Sequence, residues 1–403
     1  MGNVVIIGAG HGAGQAVLSL RQKNFAGNII LIGEETWYPY QRPPLSKKFL
    51  AGEMPAERLY FKPQDFYDAP NIKVVLGDRV TCIDRDRQYV STASGERFDY
   101  DAAIIATGSR PRKLDVPGAD LEGIHYLRGI DDVNGIRDEI AAGKRIAIVG
   151  AGYIGLEVAA VSAQLGLGVT VVEMADRVMS RVVSPELSSF YAAVHRDNGV
   201  ELLLSTGVNG LTGSGRVDGV LLGNGETLDT DMVVIGIGIV PNMELAINAG
   251  LDVGNGVIVD DHCRTSDPNL YAIGDCSFHP NRVLDTYLRL ESVHNALEQA
   301  KTAAANICGE DTAYSQVPWF WSDQYDLKLQ IAGISQGYDD VVMRGDPTSK
   351  SFSCLYLRGG KLIAVDAVNA PRDYVHSKAL IANHARIDPA VLANTTIQLK
   401  DAS

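Results

Sequence analysis

The sequence predicts an α/β protein with two parallel-sheet units, followed by an α+β segment that carries an antiparallel sheet. Three observations predict it. Residues 3–35, "NVVIIGAGHGAGQAVLSLRQKNFAGNIILIGEE", read as an apolar strand, a glycine-rich turn, a helix and a second strand ending in acid. Residues 145–175, "RIAIVGAGYIGLEVAAVSAQLGLGVTVVEMA", repeat that order. Beyond Thr312 the chain changes to short β-like runs, "KLQIAGIS", "SFSCLYLR" and "KLIAVDAV", with a helical stretch near 372–385.

In the first turn Gly8 and Gly10 permit a tight bend and a close approach of backbone to ligand. The third position of the G-x-G-x-x-G pattern is Ala13, flanked by Gly12 and Gly14. A pyrophosphate suits such a turn because it meets the positive end of the following helix. Glu34, closing the next strand, is placed to accept hydrogen bonds from ribose hydroxyls. The second turn matches in full, with Gly150, Gly152 and Gly155, and Glu173 closes its strand. Two such units in one chain imply two Rossmann-like dinucleotide-binding domains. A carboxylate at position 173 repels a 2′-phosphate, and Met174 and Ala175 offer no cation for one, which favours NADH over NADPH. Arg177 and Arg181 lie close enough in sequence to weigh against that preference.

"YDAAIIATGSRPR" (100–112) and "DTDMVVIGIGIVPN" (229–242) each run a strand into a small-residue turn and a proline, and read as crossings between the two domains. "RTSDPNLYAIGDCSF" (264–278) places Gly274 and Asp275 after a short strand, where a carboxylate can reach a hydroxyl chain. The expected division is a discontinuous first domain, 1–108 with 240–311, a second at 109–239 and a third at 312–403.

The net charge of −13 argues against nucleic acid as a partner. Residues 312–403 hold nine Lys/Arg and nine Asp, so the acidic excess sits upstream; 344–386 carry seven Lys/Arg against three Asp. That relative surplus suits an acidic partner. No run approaches the ~20 apolar residues of a spanning helix, and the start reads straight into a strand, so a soluble, cytoplasmic protein is expected. Cys82, Cys263, Cys276, Cys308 and Cys354 form no CxxC, which points to reduced thiols and to no metal site.

The stretch "YPYQRPPLSKKF" (38–49) holds no cysteine. Pro43 and Pro44 stiffen the approach to the next helical turn and position Ser46 and Lys47. A lysine there can stabilise developing negative charge, and Glu157, in the second helix, is able to pair with it across the two domains.

The order GxGxxA, RPPLSK, ATG, GxGxxG with its acid, GD and "VPWFWSDQY" (317–325) resembles the NADH-dependent ferredoxin reductases of bacterial oxygenase and cytochrome P450 systems, over essentially the whole chain. That family contains FAD and shares its two-nucleotide architecture with glutathione reductase. The resemblance carries FAD contacts onto Gly12, Glu34, Lys47, Val80, Arg128, Asp275 and Val293, and nicotinamide-side contacts onto Gly152, Ile154, Glu157 and Glu173. Arg42 and Ala106, inside the RPPLSK and ATG elements, join the cofactor-binding set. Trp321 is placed beside the flavin, with Trp319 nearby, and the catalytic set is Lys47, Glu157 and Trp321.

The activity so implied takes hydride from NADH and passes single electrons to a [2Fe-2S] ferredoxin, an acidic one docking near the C-terminal domain, with Lys301 and the basic set steering it. A disulfide reductase would need the missing cysteine pair, and an NADH oxidase of this architecture one flavin-side cysteine. A rubredoxin reductase stays open, as does a redox-sensing protein resembling apoptosis-inducing factor, which shares RPPLSK. Monomer and homodimer are both compatible with the sequence.

Overall fold

The computed structural model describes residues 2–402. By internal packing the chain forms two compact units: Met1–Arg42, Glu57–Arg110 and Val240–Pro318 make the first, and Pro43–Ala56, Pro111–Ile239 and Trp319–Ser403 the second.

The first unit is built on a five-stranded sheet in the order Leu270–Ala272, Ala102–Ile105, Asn3–Ile7, Asn28–Gly33, Ile72–Leu76, all parallel. Its strands are apolar without alternation because both faces are covered. On one face Val4, Ile6 and Leu31 pack against Ala16 and Leu20 of helix His11–Gln22 and Ala300 and Ala304 of helix Val293–Ile307. On the other, Val5, Ile7 and Ile30 meet Val90 and Phe98 of a small antiparallel sheet. Asn242 N donates to Gly108 O at 2.9 Å, and the Thr107 hydroxyl to Asn242 O at 2.8 Å, which fixes the chain where it leaves and re-enters this unit.

The second unit repeats the plan with strands Glu201–Leu203, Gly168–Val172, Arg145–Val149, Met232–Ile235 and Ile124–Tyr126 in parallel order. It also holds the C-terminal segment, whose five strands run antiparallel in the order Trp319–Gln324, Leu327–Gly333, Lys361–Val368, Ser351–Arg358, Asp340–Asp346. Helix Pro371–Ala382 packs on this sheet, as the alternating runs and closing helical stretch predict. Buried Arg344 ties down the chain end: its guanidinium donates to Asp373 and to the carbonyls of Leu392, Asn394 and Ile397. The short turn Pro43–Ser46 packs against helix Tyr153–Gln164 of the same unit. Among the described residues no helix is long and apolar enough to cross a membrane.

Candidate functional site

In the first unit, Gly8 sits at φ +116°, and a β-carbon there would come within 2.3 Å of Ala106 O. Only glycine takes that conformation beside that carbonyl without strain. Gly10 starts helix His11–Gln22 with no side-chain cap and no acid in the first turn, and a β-carbon on it would meet open space. The helix therefore presents its first N–H groups uncapped beside an open cradle, which suits a pyrophosphate. Gly12 packs near Ile273 and Ala296 O, while the Ala13 methyl is buried in the core.

Glu34, just past strand Asn28–Gly33, is exposed and held only loosely by Arg79, 3.6 Å away. Arg42 binds Glu35 at 2.5 Å and Tyr40 OH at 3.0 Å. Burial pulls its pKa down, but Tyr40, Glu35 and Asp275 outweigh burial and raise it, so the guanidinium is fixed as a cation. Gly274, at φ +75°, donates its N–H to Gln299 Oε1 at 2.7 Å, and Asp275 next to it accepts the Ser109 hydroxyl at 2.7 Å. Val293 opens its helix just after the Ser292 cap. Val80 is different: its side chain lies in the apolar core, so only its backbone is offered to a ligand.

The second unit repeats the turn more tightly. Gly150 lies at φ +104° with Gly236 O 2.5 Å from where a β-carbon would stand, and Gly155 has Gly150 O at 2.1 Å from that point. Gly152 opens helix Tyr153–Gln164 without a side-chain cap, facing open space, and Ile154 beside it is exposed. Glu173 accepts N–H from Ala151 at 2.7 Å and from Ala175 at 2.9 Å, so its carboxylate is aimed at the mouth of the turn. Arg177 spends its fork on the carbonyls of Val183 and Ser180, at 2.9 and 2.6 Å. Those bonds commit the Arg177 guanidinium to carbonyls of its own loop, while Arg181 is exposed. Arg128 donates its backbone N–H to Asp132, which caps helix Ile130–Glu139.

The same unit holds both partners of the Lys47–Glu157 pair, which the sequence places across two domains, because residues 43–56 pack with the second unit. Pro43–Ser46 forms one 3₁₀ turn, and the Lys47 ammonium that follows lies 2.7 Å from Glu157 Oε2 and donates to Pro43 O at 3.2 Å. Glu157 is buried and also accepts two hydroxyls, Ser46 Oγ at 2.5 Å and Ser322 Oγ at 2.6 Å. A buried carboxylate is tolerable because an ammonium and two hydroxyls replace its water. Trp321 lies on strand Trp319–Gln324, its ring 5.5 Å from that of Trp319. Ser322 went unnoticed in the sequence. Its signal was there: Ser322 and Gln324 are two polar residues at i and i+2, hence on one face of a strand, and both are buried.

Two family models match the chain, pyridine nucleotide-disulphide oxidoreductase over residues 2–300 and reductase C-terminal over 319–403. The chain belongs to the pyridine nucleotide-disulphide oxidoreductases. It is an oxidoreductase that uses FAD and NADH. It is 44% identical to the 5,5'-dehydrodivanillate O-demethylase ferredoxin reductase subunit of Sphingobium sp., over 98% of this chain and 97% of that one. It is 42% identical to putidaredoxin reductase of Pseudomonas putida, over 99% and 96%. A solved structure of the covalent putidaredoxin reductase-putidaredoxin complex superposes with a TM-score of 0.96 at 42% identity, covering 99% of this chain and 97% of that one. Despite the family's title, all five cysteines here are free thiols and none lies in residues 38–49.

Proposed function

We propose that this oxidoreductase is an NADH-dependent ferredoxin reductase, taking electrons in pairs from NADH and delivering them singly to a [2Fe-2S] ferredoxin that serves an oxygenase or a cytochrome P450. The observation that carries this reading is the ion pair between half-buried Lys47 and buried Glu157, with no thiol in the stretch 38–49 that supplies the lysine. With no disulfide to receive a pair of electrons there, a one-electron carrier is the fitting acceptor. The relatives named above, a ferredoxin reductase subunit and a reductase seen in covalent complex with putidaredoxin, support it.

In this reading residues 1–108 with 240–311 hold FAD, through Gly8, Gly10, Gly12, Ala13, Glu34, Arg42, Val80, Ala106, Gly274, Asp275 and Val293; the resemblance adds Arg128, which lies outside those ranges. Residues 109–239 hold NADH, through Gly150, Gly152, Ile154, Gly155 and Glu173. FAD, when bound, supplies the ability to accept a hydride and to release electrons one at a time. The chain's own residues do the rest. Glu157 holds the Lys47 ammonium in one place, where it would offset negative charge developing on the cofactor. Trp321 shields the reacting edge from water, and the tied Arg177 leaves Glu173 to select NADH.

Residues 312–403 face the ferredoxin, which we take to be acidic. Lys378 lies over the rings of Trp319 and Tyr374, 5.5 and 5.8 Å from their centroids, and joins Arg372 and Arg386 in a basic set around helix Pro371–Ala382. Lys301 is a weaker candidate, because its ammonium is taken by Glu298 at 2.6 Å. The free thiols suit the cytoplasm.

Anaerobic stopped-flow tests the reading. Rapid bleaching of the flavin by NADH and not by NADPH, then reoxidation as an oxidised [2Fe-2S] ferredoxin is reduced, is the expected result. Reoxidation by rubredoxin alone, or a long-lived reduced complex indifferent to both proteins, would contradict it. Lys378→Glu should raise the ferredoxin KM severalfold and leave NADH-to-ferricyanide turnover unchanged, with a weaker salt dependence than the parent.

A further inference from the structure

Glu157 is the end of a longer buried chain. Ser322 Oγ, which donates to Glu157 Oε1, lies 3.2 Å from Gln324 Nε2. Gln324 Oε1 lies 2.9 Å from His195 Nε2, and His195 Nδ1 lies 3.2 Å from Tyr325 OH. Glu157, Ser322, Gln324 and His195 are each 0–1% exposed, so water cannot substitute for the links among these four.

The proton positions follow link by link. A carboxylate only accepts, so the single Ser322 proton goes to Glu157. Ser322 Oγ must then accept, which requires the amide N–H of Gln324 and fixes its orientation; the flipped amide would set two acceptors face to face. The Gln324 carbonyl only accepts, so His195 carries its proton on Nε2. In a neutral imidazole Nδ1 is then a lone pair, and Tyr325 donates to it. Burial, only partly offset by the Gln324 hydrogen bond, lowers the His195 pKa and keeps the ring neutral. Tyr325 holds its end from a left-handed backbone, φ 55°, with its ring edge-on to His195 at 5.2 Å. A non-glycine residue in that region is strained and persists only where its surroundings hold it.

We infer that Tyr325, His195, Gln324 and Ser322 form a hydrogen-bond chain of one donor direction that positions the Glu157 carboxylate and, through it, the Lys47 ammonium. This rests on the reactive role given above to the Lys47–Glu157 pair. The four are positioning residues. The strand that bears Trp321 thereby serves two purposes: Trp319 and Trp321 share one face, and Ser322 and Gln324 the other. The chain links helix Pro185–Asp197 and strand Trp319–Gln324 to helix Tyr153–Gln164, whose Glu157 carboxylate it reaches through Ser322.

Two measurements test it. Nitrogen-15 NMR of the histidine-labelled holoprotein at neutral pH, with His195→Phe to assign the ring, should show His195 neutral with its proton on Nε2; an Nδ1–H tautomer or an imidazolium overturns the chain. Rapid-reaction reduction by NADH supplies the second. Ser322→Ala removes the direct donor, and Gln324→Glu keeps the acceptor for His195 but loses the donor for Ser322. Each should slow reduction at saturating NADH by about 10-fold or more, while the apparent NADH dissociation constant moves less than about 2-fold. Ser322→Thr, which keeps the hydroxyl, should restore the rate. Should Gln324→Glu fail to fold, the Ser322 pair decides alone: equal rates in Ser322→Ala and Ser322→Thr overturn the proposal. Lys47→Ala separates the two readings. A wild-type reduction rate in that variant sinks the role given to the pair, whereas a slow Lys47→Ala beside a normal Ser322→Ala sinks the chain alone.

Discussion

Gly8 and Gly150 hold nearly the same backbone, at φ +116° and +104°, each under a carbonyl at the end of a neighbouring strand, that of Ala106 or Gly236. Gly10 and Gly152 both start a helix with no side-chain cap and open space around them. At the third position the two turns part. A β-carbon on Gly155 would stand 2.1 Å from Gly150 O, whereas Ala13 carries a real methyl that fills the core. In the first turn the close approach has moved one residue along, to Gly14, where a β-carbon would meet Pro39 at 2.7 Å and Phe61 at 3.1 Å. The first two positions are thus dictated by the turn and its ligand, and the third by how near the helix lies to its own turn.

The two acids differ as well. Glu173 is held by two backbone N–H groups, while Glu34 is exposed and, among the described residues, pairs with Arg79 at 3.6 Å. A nucleotide that binds and leaves in every turnover gains from an acceptor already in place; a resident cofactor orders its contacts once.

Substitutions at the unlike positions should give unlike results. The largest effect is expected from Gly155→Ala, whose methyl meets a backbone carbonyl that cannot move away: NADH KM should rise about 100-fold or the second unit should lose its fold, with flavin retained in the folded fraction. Steady-state kinetics with a flavin absorbance ratio checks this. Glu173→Ala should raise the NADH KM by about 10-fold, since it removes a preorganised acceptor and leaves two N–H groups without a partner. Adding Met174→Arg to that variant should lift kcat/KM for NADPH by about 10-fold, because Arg177 is already committed to carbonyls and cannot serve a 2′-phosphate. Glu34→Ala should leave the flavin content near one per chain in desalted protein. The smallest effect belongs to Ala13→Gly, which loses a buried methyl and adds a helical glycine, for about 1–2 kcal/mol of stability and a Tm lower by a few degrees, with both ligands bound as before.

The parts of the fold that were legible in the sequence are those written in local pattern. Apolar runs closed by Gly8 or Gly150, an acid at Glu34 or Glu173 and the alternating C-terminal runs each specify their element within about thirty residues. Lys47 and Glu157 were individually legible, one from the stiff Pro43-Pro44 approach and one from its place in the second helix. Less legible was what depends on long-range packing. Residues 43–56 group with the second unit although they follow the first βαβ in sequence, and no local rule says so. His195 reaches Gln324 across 129 residues, and Arg177 turns from a candidate phosphate ligand into a brace for its own loop only through the fold.

The central claim is that the first turn holds FAD and the second holds NADH. Gly8→Val and Gly150→Val, purified in parallel and treated anaerobically with excess NADH, test it most directly by visible absorbance. The account predicts a colourless or flavin-poor Gly8→Val protein and a yellow Gly150→Val protein whose flavin band NADH leaves unchanged. A yellow, NADH-reducible Gly8→Val protein, or a Gly150→Val protein that loses its flavin while folded, would contradict it.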